Sequence, residues 1–575
     1  MSPSWVPRVG RGRLLVATLA VVGLLGSGAQ NAGAAQLSAQ GTSVTLSASP
    51  STVTNNDGTV TLSYTTTNAT SCFFNPEPSA GIYQSMPCST LSGSTSVVLP
   101  KNMRQTTAFY RFALTASGAG QVTKAVKIGV APGAGRPPLS GVKTVLGTPG
   151  GASCALLIAG GVDCWGDNAT GSLGNGTTSA PQMCPDPCAT TPHPVVGVGG
   201  AGVLSGVVQL ALDVSGTFCA RLGSGGVDCW GPEVFGELGD GSGTGPDACA
   251  QACTSSPVVV MDALGPLSGA TDLQADTQEA FCAALSDGQV DCWGFGGDSD
   301  TGQGTTGYTN PIAAPVVATG SQGEISPPPL TGVARLSAGG IGFCAILTTS
   351  GAVCWGLNRF GNLGMGTTNG PNPCHGQSGG GDCSAEPQTV VTSNGKALVG
   401  VNQIVPDGIL GWCAVLASSG VDCWGDNNYG ELGDGSTSGP TTCLYGPCAP
   451  YAVPVVGLNG TGILRGVRHV ASNLDLYSAG GSPTMCAVLP LGHVACWGSN
   501  AQGQLGQGTA GNPSPVPVVV AAPGSTNPLA GVSAIAGADG IGYCVAASGG
   551  LDCWGDYFSI GPSAAISNVG GTGTL

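Results

Sequence analysis

From Leu139 to the C-terminus, hydrophobic positions fall in short runs, four to a unit, and the unit recurs seven times. Each unit opens on Leu-x-Gly, at Leu139, Leu204, Leu267, Leu330, Leu398, Leu464 and Leu529. An apolar run follows, then a cysteine-led segment such as "FCARLG", a glycine-rich turn and a segment ending in Cys-Trp-Gly. A Gly/Asn/Asp loop such as "DNNYGELGDG" leads to the fourth run, a Pro-containing valine segment present in six units, as at Pro194-Val195-Val196 and Pro454-Val455-Val456. Runs this short, bounded by turn residues, are strands. Four strands per unit and seven units predict an all-β, seven-bladed β-propeller over residues 139–575. The seventh unit lacks its valine strand, so either "SAAISNV" at Ser563 to Val569 or an upstream segment must complete it.

Upstream the pattern changes. Residues 35–130 carry alternating β-branched and polar positions in "SVTLSASPSTV", "GTVTLSYTTTNATSC", "TSVVLP", "TAFYRFALTASG" and "TKAVKIGV", separated by Gly, Asn and Ser turns. They predict a small β-sandwich with Cys72 and Cys88 as its bridge, and these runs resemble a bacterial immunoglobulin-like domain. Residues 131–138, "APGAGRPP", read as a linker. Residues 1–34 hold Arg8, Arg11 and Arg13, an apolar run from Leu14 to Leu25 and small residues ending at Ala34. That is the layout of a secretory signal peptide, with cleavage placed after Ala34 or alternatively after Ala29. No later segment approaches a membrane span, so the expectation is a secreted, extracellular protein.

Composition supports a turn-rich β protein: Gly 100 and charged residues at 8%, yet 41% hydrophobic, enough to build a core rather than leave the chain disordered. Formal charge is -15, and removing the three signal arginines leaves 13 basic against 31 acidic residues, a net −18. Such a surface repels phosphate backbones, which argues against nucleic acid as a partner.

The 24 cysteines are even in number and suit an oxidising compartment. In each unit one cysteine leads the second strand and another precedes Trp-Gly, ten positions on, or nine in the seventh unit where the turn is one residue shorter. Facing residues of an antiparallel hairpin come close enough for a disulfide. The expected pairs are Cys154 with Cys164, Cys219 with Cys229, Cys282 with Cys292, Cys344 with Cys354, Cys413 with Cys423, Cys486 with Cys496, and Cys544 with Cys553. Trp then points to the opposite face of its strand, into the space between blades. Cys184 and Cys188, Cys249 and Cys253, Cys374 and Cys383, and Cys443 and Cys448 sit in the loop before the valine strand and are expected to staple it. Zinc is the alternative, but four histidines, none suitably spaced, do not complete a site.

The order Cys-Trp-Gly followed by x-Asn-x-x-Gly-x-Leu-Gly, clearest in "CWGDNATGSLGNG" and "CWGDNNYGELGDG", resembles the repeats of the regulator of chromosome condensation family. The resemblance implies a propeller. It offers guanine-nucleotide exchange on a small nuclear GTPase as one function, against which the signal peptide and acidic surface argue. Secreted bacterial propellers of this repeat that bind and inhibit another protein offer a second. Gly376 to Gly380 fits a nucleophile-elbow pattern and Gly197 to Gly202 a dinucleotide fingerprint, but neither has the strand-to-helix context its chemistry needs. The Asp/Asn loops lack the spacing of a calcium loop. No nucleophile is paired with a base, so no catalytic residue, metal or cofactor is implied. The reading is a non-enzymatic scaffold offering variable loops to a protein partner, with a carbohydrate-binding or lyase/hydrolase propeller as a further alternative. Specificity is expected around the loop glycine, at Glu233, Phe235, Phe295, Arg359, Phe360, Tyr429, Tyr557 and Phe558, because aromatics and Arg dominate interface energetics.

Overall fold

The computed structural model describes residues 42–53, 59–76, 92–98, 108–118, 121–130, 139–148, 151–555 and 564–565. Short interruptions fall at 180–181, 184–186, 250–251, 298, 306–308, 322–323, 325, 373, 375–381, 409, 445, 474–482, 539–541 and 548–549. The chain divides into two compact units between Gly135 and Arg136.

The first unit is a two-sheet sandwich of three and four strands. Val44, Val60, Leu62 and Tyr64 of one sheet bury their alternate side chains against Phe112, Leu114, Ala116 and Ile128 of the other, as period-two patterning requires. Cys72 is disulfide-bonded; Cys88 lies outside the described residues.

The second unit is a β-propeller of seven antiparallel sheets whose first four strands follow chain order; in place of the four expected, blades one, two and five carry a fifth, short outer strand, formed where the long cysteine-containing loop folds back on the fourth. Blade two shows the plan: Val207–Leu212, Phe218–Leu222, Val227–Pro232 and Ala252–Val259, from the innermost strand outward. In the seventh blade the fourth place is taken by Ala564–Ala565, which pairs with Asp552 and Cys553. The C-terminal segment, not an upstream one, completes that sheet.

Each hairpin cysteine pair faces across the second and third strands and is bonded, with Cα atoms 4.0–4.1 Å apart. The next residue is the tryptophan, where pairing to the fourth strand shifts register in the first six blades. The glycine after it takes φ between 96° and 117° in all seven blades, a left-handed conformation that disfavours a Cβ. The bulge turns the indole toward the preceding blade. Six of the seven tryptophans are fully buried there. Their Nε1 donates to the carbonyl just before Leu-Gly, or Thr-Gly in blade three, of the previous blade: Ser172, Glu237, Asp300, Asn362, Glu431 and Gln504, at 2.7–3.1 Å. The glycine of Leu-Gly lies flat against the same ring; a Cβ on Gly239 would sit 2.9 Å from Trp293. Trp165 of the first blade is half-buried. Across the hairpin, Phe218, Phe281, Phe343 and Tyr543 stack on their blade's tryptophan at 5.6–5.9 Å. The apolar clusters therefore straddle adjacent blades: Ala211 and Cys219 of blade two pack with Leu273, Phe281 and Trp293 of blade three.

The innermost strand of each blade has one edge without a strand neighbour, a liability unless its backbone groups are met. Side chains of adjacent blades meet them. Lys143 Nζ donates to Val208 O at 2.7 Å, Gln209 Nε2 to Leu273 O at 2.7 Å and Ser337 Oγ to Ile404 O at 3.0 Å. Asp272 Oδ2 accepts from Leu336 N at 3.0 Å.

Candidate functional site

Because strands alternate in direction, loops joining first to second and third to fourth strands share one face of the propeller. Among the described residues, the loops that carry the sequence-predicted side chains are on that face. In blades one, two, four, five and six the third-to-fourth loop is built around one side chain two residues past Trp-Gly; blade three has Gly296 there. Asn168, Asn358, Asn427 and Asn500 accept a hydrogen bond at Oδ1 from the backbone N–H of Leu173, Leu363, Leu432 and Leu505, at 3.0–3.2 Å. Their Nδ2 donates to the carbonyl nine positions on, at 2.7–3.0 Å. One amide thus closes the loop from both sides.

A second side chain, just before Leu, fixes the loop tip. Glu237 Oε2 accepts from the N–H of Val234 and Phe235 at 2.8 and 2.7 Å. Glu431 Oε2 accepts from Tyr429 N at 2.8 Å, Gln504 Oε1 from Gln502 N at 2.8 Å and Asn362 Oδ1 from Phe360 N at 3.4 Å. The tip residues held this way are the variable ones. Val234 and Tyr429 are exposed, at 43% and 36%, and Phe235 and Phe360 half-buried. Phe235 meets Phe295 of the next blade edge-on, centroids 5.1 Å apart. Arg359 forms an ion pair with Asp382 at 3.3 Å. Phe235 and Phe295 are thus brought together, whereas Arg359 with Phe360, and Tyr429, belong to the loops of blades four and five. Tyr557 and Phe558 lie outside the described residues.

Glu233 is a different case from the exposure expected of it. It stands where other blades have asparagine, is buried, and accepts from Leu238 N at 2.8 Å, so it builds the loop and is not available to a partner. Its place in the repeat, two residues after Trp230-Gly231, carried that signal. A carboxylate can only accept, and burial pushes Glu233 up to about 8, with Glu237 and Asp240 adding to the rise and the bond from Leu238 opposing it. Burial, reinforced by Glu237, raises Glu279 to about 7. The first-to-second loops repeat the device. Asp213 Oδ1 accepts from Gly216 N and Thr217 N, and burial followed by Glu237 holds it well above the usual range. Asp407 and Glu431 are raised in the same way by burial and by Asp426.

These carboxyls hold their protons more tightly folded than unfolded. The stability Glu233 contributes is present below about 4.5 and is lost as pH rises through about 8. Melting temperature is therefore expected to fall between pH 6 and pH 9. Glu233→Asn restores the two-sided bond of the other blades. At pH 8.5 it should melt at least about 2–4 °C above the parent, and the gap should narrow at pH 5. Parallel pH profiles for the two proteins in differential scanning calorimetry would refute this reading of Glu233.

The four long-loop cysteine pairs serve the same loops. Cys249 with Cys253, Cys374 with Cys383 and Cys443 with Cys448 are bonded. Cys188 is disulfide-bonded, and Cys184 lies outside the described residues. Among the described residues no group of three or more His, Cys, Asp or Glu side chains has the arrangement of a metal site. None of their helices is long and apolar enough to cross a membrane. The glycines at 197–202 form a short 3-10 turn, Val198–Gly200, that no helix continues, and 376–380 lie outside the described residues.

Residues 492–545 match the regulator of chromosome condensation (RCC1) repeat. The human E3 ubiquitin-protein ligase HERC2 is 26% identical over 301 residues, 52% of this chain and 5% of the ligase, and the mouse protein matches equally. The chain thus corresponds to a small part of those relatives' length. Among solved structures, yeast RCC1 (Prp20) bound to Kap60 aligns with TM-score 0.46 and 17% identity, covering 69% of this chain and 78% of that one. Human WBSCR16 aligns at 0.47 and 15%, covering 75% and 92%.

Proposed function

We propose that the protein is a secreted, non-enzymatic binding protein whose propeller offers its third-to-fourth loops to a protein partner, with the sandwich as an immunoglobulin-like second module. The observation that carries this reading is the construction of the loops. Variable tips at Val234, Phe235, Phe360 and Tyr429 are each fixed through their own backbone N–H by a side chain inside the loop. Tips already ordered lose little entropy on association, and half-exposed aromatics supply contact area at few rotatable bonds. Ten disulfides among the described residues favour an oxidising compartment over the cytosol.

The test is capture from the host's culture medium by the full-length oxidised chain, run beside a Val234→Ser/Phe235→Ser/Arg359→Ser/Tyr429→Ser variant. A partner retained by the parent should be lost from the variant, with affinity falling about 100-fold or more. A partner held equally by both would place binding elsewhere. GDP release from a small GTPase, or turnover of a glycan, by the parent would replace the reading with exchange or with catalysis.

A further inference from the structure

The propeller is poor in positive charge, and what it has is unevenly placed. Setting aside Asp57 and Glu77, 29 acidic residues follow Leu139, against seven lysines and arginines. Of those seven, Arg359 sits on the loop face described above and is neutralised by Asp382. Arg335 and Arg468 are on the innermost strands of blade four, Val333–Gly339, and immediately before that of blade six, His469–Ser472. Among the described residues neither has a carboxylate partner, and Arg335 makes one long bond, from Nη1 to Asn402 O at 3.5 Å.

Blade five lies between them, and the three blades line a half-open surface cavity of about 450 Å³. Its polar lining is Arg335, Asn402, Gln403, Ser419, Arg468 and His469; the rest is aliphatic, and no carboxylate contributes. The hydrogen bonds fix how its polar groups can act. Gln403 Nε2 donates to Val470 O at 3.1 Å while its Oε1 accepts from Val470 N at 3.3 Å, which sets the amide's orientation. The same Nε2 lies 3.0 Å from His469 Nδ1, so Nδ1 is the acceptor and the ring proton sits on Nε2. Every titratable group in the lining is thus a donor. Arg335 and Arg468 are both exposed at this pocket, and with no carboxylate in the lining they make a locally positive spot on an otherwise acidic chain, which attracts a negatively charged occupant.

We infer that the cavity between the innermost strands of blades four to six is an anion site, where Arg335 and Arg468 bind a small organic anion through its carboxylate or phosphate oxygens. Guanidinium forks match both oxyanions in bidentate geometry. The volume is at the small end of ligand pockets, and the aliphatic wall of Val415, Leu416 and Val467 suits a short carbon skeleton. The site uses the opposite end of the blades from the binding loops and does not depend on what those loops hold.

The experiment is isothermal titration of the full-length oxidised chain with citrate and, separately, with inorganic phosphate, each at ionic strength matched by NaCl. One saturable site is expected, for citrate if a carboxylate is the ligand and for phosphate if a phosphate is. Arg335→Gln/Arg468→Gln should weaken it by about tenfold or more, with an unchanged melting curve in NaCl alone. Arg335→Lys/Arg468→Lys should fall between the two, and Arg359→Gln should bind as the parent. Heats indistinguishable from NaCl for both anions, or unaltered binding by the double Gln variant, would overturn the assignment.

Discussion

Trp293→Ala is expected to lower the unfolding free energy of the propeller by about 3–5 kcal/mol, the cost of removing a large buried aromatic from a packed interior. The ring is fully buried and stacks on Phe281 at 5.8 Å. Its Nε1 donates to Glu237 O at 2.9 Å, the carbonyl of the residue that fixes the Phe235 tip in the blade before. The loss is therefore shared by two blades, and hydrogen exchange should quicken in both 233–241 and 290–295. Trp293→Phe keeps most of the packing but leaves a buried carbonyl unpaired, for an intermediate cost of about 1–3 kcal/mol. Denaturant titration of the oxidised protein measures all three. Equal midpoints for the parent and the Ala variant would mean that the indole does not join the blades.

Gly425→Ala should be as damaging although it adds one carbon. The residue follows Trp424 at φ 111°, and an added Cβ would fall 2.4 Å from Gly411 Cα and 2.5 Å from Leu410 O. Both obstacles are backbone of the neighbouring strand, so relief requires the hairpin itself to move. The left-handed conformation costs about 1–2 kcal/mol and the overlap about 1–3 more. Gly462→Ala separates the two contributions. Gly462 has φ 69° with nothing within 4 Å of a Cβ, so it should show the conformational cost alone. If the two variants melt together, the close approach at the bulge is not what selects glycine after tryptophan.

Much of the interior of a blade could be read in advance. The cysteine spacing gave the register of the second and third strands, and the alternation of side chains sent Trp to the far face. Both follow from contacts at most ten positions apart, where the pleat leaves little choice. The loops were read less well. Glu233 looks like a surface acid among variable residues, and only alignment with Asn168, Asn358, Asn427 and Asn500 exposes it as a buried loop builder. Glu237 and Glu431 were not singled out, because a carboxylate that bonds its own loop two residues back leaves no hydrophobic pattern. The side chains bridging the innermost strands were missed too, since Lys143, Gln209, Asp272, Ser337 and Gln403 do one task with different chemistry.

The sequence by itself determined the seven repeated units, the hairpin register and the facing cysteines, all products of local period and turn chemistry. Only the tertiary structure decided what the tryptophans touch, which acids are buried, how the inner edges are met and where Arg335 and Arg468 converge. The tryptophan and inner-edge contacts join residues 50 to 67 positions apart. At that range nothing in the chain's own spacing fixes the approach. It is set by how one blade's twisted face packs on the next.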